Sequence, residues 1–135
     1  MNGRNALSRG PGAWTPVDDE DVAAAVDTTW DGEEERAAAR AALARYGSRA
    51  HERETARVRL ALVKVCAGSL ERLATFVEAA RRDYRDVLMW AEYPEEGASL
   101  WTAAPAPSDA ERLARVRERD RAQYEEWRRR KRRPG

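Results

Sequence analysis

Between His51 and Pro94 the apolar residues recur every three or four positions, which is the repeat of an α-helix rather than the alternation of a strand. In the first half Val58, Ala61, Leu62 and Val65 fall on one face, while Ala56, Leu60, Val63 and Ala67 fall on the reverse. A helix apolar on two sides needs two packing partners. Gly68 is suited to end this helix and Ser69 to cap the next, because glycine accepts the left-handed conformation that follows many helix ends and serine accepts from an unpaired backbone N–H. Leu70, Leu73, Val77, Ala80, Tyr84, Val87, Leu88 and Ala91 then carry the same repeat to Glu92, where Pro94 stops it. The pattern predicts one continuous helix over 70–92, about 35 Å long, antiparallel to its predecessor across so short a link.

The flanking sequence extends the helical reading. Thr15 and Pro16 suit an N-cap and a first helical position, with Val22, Val26 and Trp30 forming one stripe behind them. After Gly32, an alanine-rich segment from Glu33 to Tyr46 places Ala39, Ala42, Leu43 and Tyr46 on one face, able to cover Leu60 and Val63. Ser108-Asp109-Ala110-Glu111 matches a capping box and opens a last helix whose apolar residues are sparse, with Asp120 where a hydrophobe would be expected. The resulting expectation is an all-α protein, a small helical bundle built on an antiparallel helical hairpin. Residues 1–14 form a disordered N-terminus, 15–94 the bundle with its hairpin core at 50–93, 95–107 an alanine- and proline-containing linker, and 108–135 a charged, partly projecting helix with a basic tail. Leu100 and Trp101 are the linker residues able to dock back on the bundle.

Charge and cysteine usage narrow the function classes. Charged residues make up 36% of the chain and mean hydropathy is -0.83, so the core is small. The net charge of +1 gives no global bias toward nucleic acid or an anionic membrane. Its distribution is uneven: Gly10 to Glu35 holds nine acidic residues and no basic one, whereas eleven basic residues against six acidic follow from Asp109 onward. Lysine occurs only as Lys64 and Lys131, a replacement by arginine that reads as coding bias rather than chemistry. Cys66 is the single cysteine, so no intrachain disulfide forms; with no signal-like or membrane-spanning apolar run, a bacterial cytoplasmic location is expected.

The residues Arg57-Val58-Arg59-Leu60-Ala61, Lys64, Gly68 and the run from Asp83 to Pro94, Asp-Tyr-Arg-Asp-Val-Leu-Met-Trp-Ala-Glu-Tyr-Pro, resemble a segment of short, uncharacterised bacterial helical proteins. The resemblance covers about a third of the chain, residues 57–94. It implies the same helical hairpin and brings no activity, cofactor or catalytic residue with it.

Candidate chemistry is thin. One histidine and one cysteine at unrelated helix positions cannot build a zinc or haem site, and no phosphate-binding glycine loop or nucleophile motif is present. No catalytic residue, metal, cofactor or small-molecule substrate is expected. A partner-docking face is expected at Asp83, Arg85, Asp86, Trp90, Glu92 and Tyr93, since aromatic residues with arginine dominate interface energies. Asp83 lies at the edge of the apolar stripe and should be paired or held against a partner. The alternative surface is Trp127, Arg128, Arg129, Arg130, Lys131, Arg132 and Arg133, with arginines on nucleic-acid phosphates and Trp127 stacking on a base. The first reading is a small interaction or scaffold protein without catalysis; the alternative is a nucleic-acid-associated accessory protein. The second face of the Leu60 helix has two candidate covers, the alanine-rich helix in a three-helix monomer or a second copy in a homodimer, and the homodimer is favoured because Leu43 and Tyr46 offer little apolar bulk.

Overall fold

A computed structural model describes residues 16–48, 52–96 and 110–132 of the chain. Residues 1–14, His51, Leu100, Trp101, the Ser108-Asp109 part of the capping box and Arg133, all named above, lie outside the described residues. The described part is all-α, with no strand among its residues.

Among the described residues the main helices are, in order, α1 (Asp19–Thr29), α2 (Glu33–Ala44), α3 (Thr55–Cys66), α4 (Leu70–Arg82), α5 (Tyr84–Glu92) and α6 (Ala110–Arg132). Asp18 is the N-cap of α1, and Pro16, expected as a first helical position, lies ahead of the helix. The Asp21 N–H donates to the Asp18 carboxylate at 2.9 Å and the Asp18 N–H to the Asp21 carboxylate at 3.0 Å, a reciprocal cap that satisfies two otherwise orphaned donors. α2 opens on three glutamates, Glu33, Glu34 and Glu35, favourably placed at the positive helix end. Its chain turns away at Gly47, whose φ of +107° and the Thr55 methyl only 2.7 Å from a built Cβ leave room for no side chain. Ser69 caps α4 as the sequence suggests, accepting from the Arg72 N–H at 3.1 Å.

The predicted helix over 70–92 is two helices. Asp83 leaves helical geometry for an extended one, φ -157° and ψ 101°, closing α4 and capping α5 in the same residue. Its carboxylate accepts from the Arg85 N–H at 3.1 Å. Aspartate offers the backbone this local alternative to the helical ladder, which the apolar repeat does not register. α5 ends before Tyr93, and Pro94, Glu95 and Glu96 begin another helical turn, so the expected linker starts as helix.

One core unites the elements: Val26 and Trp30 of the α1 region, Leu43 and Tyr46 of the α2 region, Leu60 and Leu62 of α3, Val77 of α4, Val87 of α5 and Tyr124 of α6. α3 lies at its centre, with α1, α4 and α5 packed around it. α3 and α4 run in opposite directions, since Arg81 near the end of α4 donates to Glu52 just ahead of α3. The alanine-rich α2 covers α4, not Leu60 and Val63; those two are buried by the chain itself, with α1 on α3 and Lys64 of α3 standing 6.0 Å over the Tyr124 ring. The premise that a second copy must cover Leu60 and Val63 is thereby removed, while Ala67 stays exposed in a left-handed turn.

α6 does not project. It lies along α1 and against the end of α5, with Val116, Asp120, Tyr124 and Arg128 buried at successive turns. Two of these four are charged, so an apolar-periodicity reading sees too little stripe. The buried charges are what seat the helix. Asp120 accepts from the Glu95 and Glu96 N–H groups at 2.9 and 3.0 Å, capping the turn that begins at Pro94.

Candidate functional site

The break at Asp83 exposes charged side chains beside half-buried aromatics. Arg85 places its guanidinium on both Asp83 oxygens at 3.0 Å, and the Asp83 side chain is 38% exposed against 76% for Arg85. The guanidinium and the Arg85 backbone N–H hold the Asp83 carboxyl below the usual carboxylate range, and Asp83 raises Arg85 in turn. Asp86 is exposed in the first turn of α5. Trp90 is half-buried and meets Phe76 of α4 edge-on, ring centroids 5.6 Å apart. Tyr93, also half-buried, caps α5 through its N–H to the Met89 carbonyl. Ala80, Arg81, Arg82, Asp83, Tyr84 and Arg85 line an open cleft of about 250 Å³ at the break.

Glu92 does not belong to this surface. It is 1% exposed and takes both prongs of Arg57 at 2.8 and 2.7 Å, joining α5 to α3 from inside. The pairing pushes the Arg57 guanidinium up. Glu92 sits one turn past Leu88, on the side of α5 that faces α3, and charge alone had suggested the surface. Five of the six expected docking residues thus reach solvent at least in part.

The arginine end of α6 also divides. The Arg128 side chain is only 7% exposed and donates to Asp21 at 3.2 Å and to the Pro16 carbonyl at 3.0 Å. Arg132, 53% exposed, donates to the other Asp21 oxygen at 2.5 Å. A single buried carboxylate therefore bridges two guanidiniums one turn apart. Arg129 pairs with Glu126 and remains largely exposed, as does Arg130. Lys131 is half-buried and its carbonyl accepts from the Thr28 hydroxyl at 3.2 Å. Trp127 lies flat on Tyr124, 5.8 Å between centroids and 11° between planes, so its ring is stacked on its own helix instead of standing ready for a base.

Three buried carboxylates escaped the sequence reading as structural groups: Asp21, Asp120 and Glu52. Glu52 accepts from the Gly47 and Ser48 N–H groups at 2.8 and 3.0 Å as well as from Arg81, and so ties the α2 end to α3 and α4. Asp120 had a signal, its position on the apolar stripe, and Asp21 had one in its spacing from Asp18. Glu52 had none.

Among the described residues no three histidine, cysteine, aspartate or glutamate side chains are arranged to hold a metal ion, and no helix is long and apolar enough to cross a membrane. Cys66 is buried, and burial pushes its thiol up, away from the reactive thiolate. Comparison with protein-family models, with curated proteins and with solved structures returns no match.

Proposed function

We propose that the chain is a small, non-catalytic interaction or scaffold protein whose contact surface is the α4–α5 break, with Arg85, Asp86, Trp90 and Tyr93 meeting a protein partner around Asp83. The observation that carries this reading is the break itself. It interrupts a long amphipathic run and turns Arg85 and Asp86 into solvent next to the Phe76–Trp90 pair. Aromatic and arginine side chains grouped in this way are the usual energetic centre of an interface. A cytoplasmic location accords with the lone, unpaired Cys66. Quantitative capture by the immobilised full chain, compared with Arg85→Glu/Asp86→Arg and with Trp90→Ala, tests the reading. Loss of the same captured protein from both variants, at unchanged helical circular dichroism, supports it; undiminished capture by both removes this surface from consideration.

A second reading has its own observation. Arg129 and Arg130 stand exposed at the end of α6 beside the partly exposed Arg132, a compact group of cations suited to phosphates. Nucleic-acid association through this end predicts retention on a heparin matrix that falls with Arg129→Ala/Arg130→Ala. Elution unchanged by that double substitution would set the reading aside.

A further inference from the structure

The Asp21 carboxylate holds Arg128 on one oxygen and Arg132 on the other, at 3.2 and 2.5 Å, the partners standing 107 and 111 positions away in the sequence. Two oxygens of one anion, each facing a guanidinium one helical turn from the other, is the arrangement that a phosphodiester presents to paired arginines. The seat is built into the fold: Arg128 and Asp21 have side chains 7% and 4% exposed, and the Pro16 carbonyl fixes the Arg128 guanidinium from a third side. Arg132 differs, being 53% exposed and reachable from solvent beside Arg129 and Arg130.

We infer that Asp21 is an intramolecular competitor for a nucleic-acid backbone at Arg132: one of its carboxylate oxygens occupies that exposed guanidinium while Arg128 holds the other from inside, and a phosphate that takes over Arg132 leaves Asp21 on Arg128. This rests on the second reading above and adds to it the control of that site. A strand drawn to the exposed Arg129 and Arg130 can reach the exposed Arg132 guanidinium, and the exchange there leaves Arg132 on a phosphate and Asp21 on Arg128, so that the buried carboxylate keeps a partner. Asp18 acts in the same sense: the Asp21 N–H chiefly, and the Arg132 charge to a lesser degree, hold its carboxyl below the usual carboxylate range. Asp18, Asp19 and Glu20 add negative charge at the start of the helix that carries Asp21, which disfavours a polyanion at Arg132. A single-stranded nucleic acid is the occupant favoured over an anionic membrane. Trp127 is stacked on Tyr124, and Val116 and Tyr124 face the bundle, so this end of α6 offers cations and no apolar group to insert.

The experiment measures binding of a fluorescent single-stranded DNA oligonucleotide to the full chain and to Asp21→Asn and Arg132→Gln, across salt concentrations. Asn keeps an acceptor for the Asp18 N–H, and Asp21→Asn is expected to bind several-fold tighter than the parent. Arg132 is at the exposed end of α6, so Arg132→Gln keeps the fold; it is expected to bind more weakly and to flatten the slope of log K against log salt by about 0.7, the share of one phosphate contact on a single strand. If Asp21→Asn loses its helical signal, Arg132→Gln decides alone. A parent that binds while Arg132→Gln matches it in affinity and slope overturns the inference and leaves the nucleic-acid reading standing. No binding by any of the three at low salt removes both. Binding to vesicles containing anionic lipid, with none to the oligonucleotide, overturns the inference in favour of a membrane surface.

Discussion

The centre of the bundle and the dock of α6 are held by different forces. Around α3 the buried groups are mainly aliphatic: Val58, Leu60, Leu62 and Val63, met by Leu73, Val77 and Val87, all close to fully buried. Along α6 the buried groups alternate between apolar and charged, and Asp120, Arg128 and the Asp21 of α1 settle the helix through hydrogen-bonded ions. Apolar burial is non-directional and tolerates small shifts, whereas a bridging carboxylate specifies one register of one helix against another. The comparison teaches that a helix with very little apolar stripe can still be an integral part of a small fold, provided that its buried charges find each other. It also separates the molecule by solvent response. Arg117–Glu96 and Arg119–Glu95, at the α6 dock, have arginines 56% and 58% exposed, open to screening by salt.

The largest expected effect tests the apolar side. Leu62→Ala, at a position with no exposure, should cost about 2–5 kcal/mol, because the lost transfer energy is joined by a cavity the neighbours cannot close. Leu62 is a sharper probe than Val65 on the same predicted face, which is only half-buried. Urea melts at low and high salt should give the same loss; a loss that changes with salt would mean that the two regions are not separately held.

Arg128→Ala addresses the ionic side. It leaves Asp21 bonded to Arg132 but no longer to Arg128 and should cost about 1–3 kcal/mol. Amide exchange is the more telling measurement: protection should fall across α6 while α3 keeps most of its own. Equal loss in both helices would show that α6 and the core open as one unit.

A buried phenol sharpens the comparison from the alkaline side. Tyr46, fully buried with its hydroxyl donating to the Arg53 carbonyl at 2.7 Å, has its ionisation pushed up to about 12 by burial. The folded value is raised, so the contribution is complete below the unfolded value near 10 and is lost as pH climbs toward 12. Thermal melts should therefore decline across that window, and Tyr46→Phe should decline less. Tyr124, also pushed up by burial, keeps part of the decline in place. A parent melting temperature flat from pH 9 to 12 would contradict the assignment.

The smallest effect concerns the link between α3 and α4. Ala67 is held in the left-handed region at φ 52°, where a Cβ costs an ordinary residue about 1–2 kcal/mol. Ala67→Gly should stabilise by up to about 1 kcal/mol after the added freedom of glycine in the unfolded chain is subtracted. The gain should appear equally at low and high salt, as expected for the apolar half; destabilisation would mean that the methyl group matters more than the turn.

Much of the helical layout is local and was legible. The three- and four-residue repeat marks α3 and α4, Ser69 and Gly68 mark their junction, and Pro94 marks the end of α5, since each of these acts on the backbone within a turn of itself. The interruption at Asp83 is local too, yet it competes with an uninterrupted apolar repeat, and only the assembled bundle shows which preference prevailed. What lay beyond the sequence was pairing. The face covered by α2, the inward turn of Glu92 onto Arg57, 35 residues away, and the bridge from Asp21 to Arg128 depend on which surfaces meet in space. Charged residues look alike along the chain whether they face water or a buried partner, because desolvation and its compensation arise only once the helices are packed.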